Sequence, residues 1–294
     1  MRENKFTLTS TLGLMYDSNV LLSPDGSTSS ATNISDARLV TVFDLQYRPI
    51  FSEKHEWSPH LTANLTNSSK NTAASADPFI YTLAAPYTYK GMLGKKSLRQ
   101  TLTPGYELLY LDPYATGTKV REQVSMYLAS DTMLVMTPTW ISTYTLEYRN
   151  DDSTDVASLG DGDMDAKKIT FRTTQIKMLD KKSMLMPMLA YAVNAAKGKD
   201  KKYSRYDLGV TYAAPFWNDS TWNAGLAYYN QKYPDATTKR TDSNYTLSAG
   251  FNKPVREWVS WGVTGTYTKN NSDISSNSYT KYMVMTNATF TTNF

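Results

Sequence analysis

Apolar and polar residues alternate along most of this chain, and the alternation is most regular near its C-terminal end. In residues 279–294, Tyr282, Val284 and Phe290 fall on one side of an extended chain, whereas Lys281 falls on the other. A repeat of two residues is typical of a β-strand whose two faces meet different surroundings. This last stretch is therefore predicted to be an amphipathic strand.

Alternating segments of this kind recur along the whole chain and are separated by gaps rich in turn-forming residues. In order, the segments are 5–19, 38–49, 57–67, 78–90, 98–111, 119–129, 133–149, 167–179, 183–194, 204–216, 221–233, 243–253, 258–269 and 279–294. Segment 167–179 is the least regular, because Ile176 is out of phase with Ile169 and Phe171, and we expect a β-bulge there. The pattern predicts an all-β chain of about fourteen strands.

The gaps alternate between long and short. Long polar gaps include 18–36 and 150–166, and short gaps include 91–96 and 130–132. Proline and tryptophan are concentrated beside the short gaps, at Pro49, Pro59, Pro86, Pro104, Pro138, Pro187, Pro215, Pro254, Trp57, Trp217, Trp222 and Trp258. Proline is poorly tolerated in the middle of a sheet and tryptophan favours a membrane interface, so this sorting indicates a sheet that crosses a membrane.

We therefore predict a closed, antiparallel, up-and-down transmembrane β-barrel that forms a single domain over residues 1–294. An even number of strands places both termini at one end, which we expect to be the periplasmic end. A soluble β-sandwich or solenoid is the alternative. Such folds give no reason for proline and tryptophan to collect at one end of the strands.

Composition limits the remaining possibilities. Mean hydropathy is −0.48, and no run approaches the roughly 18 consecutive apolar residues that a membrane helix needs. The net charge of +4 is too small to indicate a nucleic-acid partner. The sequence contains no cysteine, which excludes disulfide bonds and thiolate metal sites. We expect no cofactor.

The closing segment resembles the last strand of bacterial outer-membrane β-barrels, whose C-terminal aromatic residue is recognised by the barrel insertion machinery. The residues that carry this resemblance are Phe290 and the terminal Phe294. The resemblance implies a location in the bacterial outer membrane. It also implies outer-membrane lipid, lipopolysaccharide and the insertion machinery as partners.

Residues 16–20, with the sequence YDSNV, end the first predicted strand. This motif resembles one found in barrel domains that follow tetratricopeptide repeats, including the surface lipoprotein assembly modifier family, whose barrels have a similar number of strands. The resemblance implies a surface-export barrel that works with a periplasmic helical-repeat domain. This chain departs from that family because no helical repeat precedes its first strand. The other interpretation is that Asp17 and Asn19 shape a turn where the strand becomes a loop.

Charged residues on the predicted inner face are the candidate functional residues. A wet lumen tolerates charge, and rings of charge bias the passage of ions. We expect a pore lined by Asp44, Arg48, His60, Arg99, Glu107, Arg121, Glu147, Arg149, Arg172, Arg205 and Asp207. These residues indicate a porin-like barrel for passive diffusion of small polar solutes. The alternative is a mutually paired network that keeps the wall rigid.

No enzyme signature is present. The two histidines are His55, in a predicted turn, and His60, and no nucleophile–histidine–carboxylate pattern accompanies either of them. We expect no catalytic activity.

Two predicted loops carry charge of opposite sign. Asp161, Asp163 and Asp165 alternate as the oxygen ligands of a cation do, but no glutamate follows to complete a calcium loop. We therefore expect an acidic solvated loop rather than a calcium site. The basic stretch 197–202 is expected to be solvated, with contact to anionic lipopolysaccharide as the alternative.

Overall fold

The protein folds into a single antiparallel sheet that closes on itself. The computed structural model describes residues 5–25, 34–112, 116–154, 160–180, 182–217 and 219–294. Seventeen strand segments make up fourteen strands, which confirms the predicted barrel. The strands are β1 (Phe6–Asp17), β2 (Asp36–Tyr47 and Ile50–Phe51), β3 (His55–Trp57 and His60–Ser68), β4 (Phe79–Ala84 and Tyr87–Leu93), β5 (Lys96–Leu111), β6 (Val120–Thr137), β7 (Trp140–Ser153), β8 (Ala166–Met178), β9 (Met184–Ala196), β10 (Tyr203–Pro215), β11 (Thr221–Tyr233), β12 (Arg240–Arg256), β13 (Val259–Ser272) and β14 (Tyr279–Asn293).

The first and last strands close the barrel. β1 and β14 pair antiparallel over almost their full length. Beyond that register, the Phe6 N–H donates to the Phe294 carbonyl and the Phe294 N–H donates back, both at 3.0 Å. Both termini therefore lie at the same end of the barrel, which we call the terminal end. The opposite end, which carries the longer connections, is called the loop end.

Alternation along each strand gives the barrel an outer and an inner face. On β1, Leu12, Leu14 and Tyr16 are 51%, 63% and 43% exposed, whereas the intervening Gly13 and Asp17 are buried. The same division repeats around the barrel, so leucine, tyrosine and phenylalanine cover the outer face. An apolar exterior around a polar interior is the arrangement of a barrel that stands in lipid.

Prolines break three neighbouring strands near the terminal end. Pro49, Pro59 and Pro86 separate the two segments of β2, β3 and β4, respectively. A proline has no N–H to donate to the ladder, so the ladder loses one donor at each of these positions. The carbonyls are still used, since Tyr47 N–H donates to Pro59 at 2.9 Å and Ser58 N–H donates to Pro86 at 3.1 Å.

The predicted turn at 130–132 is wrong, because β6 runs through it to Thr137 and the chain reverses at 138–139. The polar residues there are satisfied across strands. Thr145 Oγ1 donates to Asp131 at 2.6 Å on the inner face, and Gln100 Nε2 donates to Ser130 Oγ at 2.9 Å on the outer face. A polar triplet with such partners can remain in a strand.

The bulge predicted in 167–179 is also wrong. β8 pairs with β7 in unbroken register, which places Ile176 opposite Ile141 on the inner face. Because of this pairing, Ile141 and Ile176 form a small apolar patch on the inner face near the terminal end. A bulge is found elsewhere, where it interrupts the pairing of β5 and β6 between Leu109 and Tyr110.

Short 3₁₀ helices occupy four of the connections at the loop end: Asn71–Ala76, Gly160–Gly162, Lys199–Lys201 and Ser275–Asn277. Within the described residues, no helix is long and apolar enough to cross a membrane.

Candidate functional site

A paired acid–base cluster crosses three adjacent strands on the inner wall. Arg149 forms an ion pair with Glu107, and its Nε donates to Asp151 at 2.7 Å. Its Nη2 also donates to the Ser125 hydroxyl at 2.8 Å, and the guanidinium lies 5.9 Å from the centre of the Tyr127 ring. Two predicted pore-lining residues, Glu107 and Arg149, thus bind each other. This part of the wall has the form of a mutually paired network.

A hollow of about 200 Å³ lies beside this cluster, between β7 and β10. We call it the central hollow. It is lined by Thr145, Glu147, Lys168, Thr170, Arg172, Met188, Ala190, Ala192, Tyr203, Arg205 and Asp207. The predicted residues Glu147, Arg172, Arg205 and Asp207 come together here, although they lie on three different strands.

A second hollow, of about 270 Å³, shares Lys168 and Tyr203 with the first and lies nearer the loop end. Its aromatic and cationic side chains contact one another. The Tyr203 and Tyr233 rings lie 5.8 Å apart, and the Arg240 guanidinium lies 3.9 Å from the centre of the Tyr233 ring. The two hollows together form a continuous polar strip on one side of the interior.

The wall around the closure of the barrel has a different chemistry. Here the inner face is rich in hydroxyls and amides, as where Thr7 Oγ1 donates to Asn293 Oδ1 at 2.7 Å and the Thr11 and Thr289 hydroxyls lie 2.9 Å apart. The interior is thus charged and aromatic on the β5–β12 side, whereas the part of the β1–β14 junction nearer the terminal end is lined by neutral side chains.

The other predicted pore-lining residues are spread around the barrel. Asp44 and His60 face each other across β2 and β3, with Oδ2 and Nδ1 3.5 Å apart. Arg99 lies on the inner face of β5, 3.9 Å from Glu56. Arg48 lies beyond the end of the first segment of β2, where it donates to Gln46 at 3.0 and 3.2 Å. None of these residues contributes to the central hollow.

Arg121 was predicted to line the pore, but the register gives it a different position. The bulge between β5 and β6 pairs Arg121 with Tyr110. Tyr110 lies on the outer face, where its ring contacts that of Tyr81 at 5.9 Å. A bulge shifts the alternation by one residue, and sequence alternation alone did not reveal this one.

The largest buried charge cluster was missed by the analysis of the sequence. Asp17 is fully buried and accepts from Lys281 at 2.8 Å and from Arg38 at 3.3 Å. Arg38 also binds Asp77 at 2.8 Å, and Asp77 accepts from the Ser68 N–H at 2.6 Å. The only signal of this cluster in the sequence was Asp17 within YDSNV, because Asp77 lies in a predicted gap.

The same motif anchors the first connection at the loop end. Asn19 Nδ2 donates to the carbonyls of Ser23 at 3.0 Å and Thr280 at 3.2 Å, and Asn19 Oδ1 accepts from the Ser23 N–H at 2.7 Å. Val20 then packs with Ile34 and Ala73 in a small apolar cluster. Asp17 and Asn19 therefore shape the loop, as expected, and also hold it to the barrel wall.

The acidic and basic loops bind each other. Lys197 Nζ donates to Asp165 at 2.6 Å, and Lys199 Nζ lies 2.9 Å from Asp161. No group of three acidic or histidine side chains in the described part of the chain is arranged to hold a metal ion. The hydrogen bond from Lys197 keeps the pKa of Asp165 below its usual value of 3.8. Because the contact with Lys197 lowers this pKa, its stabilising effect is fully present above pH 3.8. That effect is lost as the pH falls through the lowered pKa of Asp165.

The two predicted assembly residues lie at the terminal end. The Phe294 and Phe6 rings stack with centres 5.6 Å apart, and the Phe290 and Trp258 rings stack with centres 6.2 Å apart. Their recognition by the insertion machinery remains a prediction.

Solved structures with a similar fold are outer-membrane channel proteins. The anion-selective porin from Comamonas acidovorans aligns with a TM-score of 0.55 at 9% identity, over 98% of each chain. The TodX monoaromatic hydrocarbon channel, as its deltaS2 mutant, aligns with a TM-score of 0.52 at 9% identity, over 100% of this chain and 91% of that one. OccAB3 from Acinetobacter baumannii aligns with a TM-score of 0.51 at 8% identity, over 98% of this chain and 99% of that one. At such identities the likeness defines the fold alone, which is the closed antiparallel β-barrel that these channel proteins share.

The chain belongs to a family described as Protein of unknown function (DUF2860), whose model matches residues 94–291. The matched region contains most of β5–β14, including the central hollow, and leaves out the YDSNV motif. A search among curated proteins found no match.

Proposed function

We propose that the protein is an outer-membrane channel through which small polar solutes diffuse passively. The observation that carries this proposal is the contrast between the two faces of one closed sheet. The outer face is apolar, while the inner face carries charged side chains and two adjoining hollows of about 200 and 270 Å³. Eight-stranded barrels fill with side chains and those of about sixteen strands enclose a channel, so fourteen strands favour a passage. The fold of the similar channel proteins supports the same proposal.

Conductance across a planar lipid bilayer tests it. The purified protein is expected to give stepwise ion currents. Arg99→Glu should shift the reversal potential in a salt gradient towards cation selectivity, because Arg99 lies on the inner face with its side chain 47% exposed. Lys253→Glu is the matched control, since Lys253 lies near Trp217 by the terminal end, 5.3 Å from that ring. A folded barrel that never conducts, or equal shifts for both variants, contradicts the proposal.

A second candidate is the barrel of a surface-export system that works with a periplasmic helical-repeat domain. It is favoured by the YDSNV motif, since Asp17 and Asn19 are both buried and organise the loop that follows. Helical repeats of about 34 residues encoded upstream of this segment in its gene would support it. An upstream region that encodes only a signal peptide, together with conductance by the barrel alone, would contradict it.

A further inference from the structure

We propose that the central hollow binds a small solute that carries two carboxylates and one ammonium group, a class represented by L-glutamate. This inference rests on the proposed channel function, since it names a class of solute that the channel would admit. It is carried by the shape of the hollow and by the charges around it.

The floor of the hollow is made of small side chains. Thr170 on β8 lies opposite Ala192 on β9, and Ala190 lies opposite Arg172. Ala190 and Ala192 leave no long side chain to fill the space above the sheet. The longer side chains of the neighbouring positions therefore stand around the floor as a rim.

Three charges on this rim are unpaired. Arg149, Arg205 and their acidic neighbours form ion pairs, but Glu147, Lys168 and Arg172 form none with any residue in the described ranges. A charged group on a partly enclosed wall gains from a complementary ligand, because the local dielectric is lower than that of bulk water. These three side chains are thus free to bind a solute.

The order of the free charges defines the ligand. Lys168 and Arg172 lie four residues apart on β8, which separates their Cα atoms by about 13 Å. Glu147 on β7 is directly opposite Thr170, midway between them. A carboxylate flanked by two cations is complementary to an ammonium group flanked by two carboxylates.

The other charged side chains around the hollow are already paired with each other, so they contribute to its shape but leave no charge for a ligand. Arg205 forms an ion pair with Asp207, and its guanidinium lies 3.9 Å from the centre of the Tyr229 ring. Tyr203 stands at the side nearer the loop end. Since Arg205 and Asp207 neutralise each other, the groups that remain are Lys168, Arg172 and Glu147, with a net charge of +1. This charge favours a solute of net charge −1, such as glutamate.

Isothermal titration of the detergent-solubilised protein with L-glutamate tests this proposal without requiring conduction. We expect binding that weakens as salt is added, because partly exposed charges are screened. Lys168→Gln and Arg172→Gln should each raise the dissociation constant about tenfold, which corresponds to about 1.4 kcal/mol. Lys253→Gln removes a charge beside Trp217 near the terminal end, away from the hollow, and is expected to leave the affinity for glutamate unchanged.

Glutarate, which has both carboxylates but no ammonium group, tests the role of Glu147. It should bind wild type more weakly than glutamate does, and Glu147→Gln should remove the preference for glutamate. No glutamate binding to wild type, equal binding by the Lys168→Gln/Arg172→Gln double variant, or equal affinity for glutarate overturns the proposal. A protein that binds glutamate but carries no current would overturn the channel function and leave the site standing.

Discussion

Replacing Arg38 with alanine tests whether the buried charge cluster stabilises the barrel. Arg38 contacts Asp77 at 2.8 Å and Asp17 at 3.3 Å, and it donates to the Ala76 carbonyl at 2.6 Å. The side chains of Arg38, Asp17 and Asp77 are 8%, 0% and 4% exposed. Without Arg38, Asp17 keeps Lys281, but among the described residues the Asp77 carboxylate keeps only the Ser68 N–H and hydroxyl as donors, while Lys119 stays on the Asp77 backbone carbonyl. Removing one partner of a buried pair costs about 3–5 kcal/mol, and we expect a loss of that size.

Two variants keep this test specific. Arg48→Ala removes an exposed arginine whose side-chain donors, among the described residues, reach only Gln46, at 3.0 and 3.2 Å, so the expected cost is below about 1 kcal/mol. Arg38→Lys keeps the charge but loses the forked contact with Asp77, and we expect an intermediate loss.

The free energy of unfolding can be measured by urea titration of the refolded protein in detergent, followed by tryptophan fluorescence and by the mobility of the folded band on a gel. Arg38→Ala should lower the urea midpoint clearly more than Arg48→Ala. If the two variants shift the midpoint equally, the reasoning from buried charge is refuted.

Other variants test packing, pH dependence and closure. In Gly105→Ala the new Cβ would lie 2.0 Å from Tyr127 Cζ, so the Tyr127 ring must move away from its position over residue 105. Unfolding titrations should show that the free energy of unfolding falls by about 1–3 kcal/mol. Adding Tyr127→Ala to this variant should partly reverse the loss. Cleavage of the connection between β7 and β8 by an acid-active protease should accelerate in wild type as the pH falls through the lowered pKa of Asp165, because its contact with Lys197 is then lost, whereas Asp165→Asn should show no such step in its cleavage rate. Phe294→Ala removes the stacking on Phe6 while keeping the backbone bonds, and it should lower the yield of folded barrel in a bilayer-assembly assay. A Phe294→Ala yield equal to wild type, or an unchanged midpoint for Gly105→Ala, would contradict these contacts.

The barrel itself could be predicted from the sequence because its two faces meet different media. Tyr282 and Val284 are 51% and 50% exposed on the outer face, as their alternation predicted. Where polar residues find partners across the sheet, the same signal fails. Ser130 and Asp131 have the composition of a turn, but they remain in a strand because Gln100 and Thr145 bind them.

The candidate site was only partly predictable. Alternation identified Glu147 and Arg172 as inner-face residues, but it could not show which neighbours they have, since register is a property of several strands together. Lys168 lies on the same face and was not selected, and Asp77 was assigned to a gap. Arg38 meets Asp17 through the pairing of β1 with β2, and Lys281 meets it only because the first and last strands close the ring, so a single strand carries no signal of either contact.

The prolines of β2, β3 and β4 create a crease in one side of the wall. Pro49, Pro59 and Pro86 interrupt three adjacent strands, and each has no donor to lose if the sheet bends there. The short segments below the crease include His55–Trp57 and Tyr87–Leu93, and the second of these stays paired with the unbroken strand β5. The crease therefore thins the hydrogen-bond ladder of this part of the rim, while β5 keeps the rim attached to the rest of the barrel.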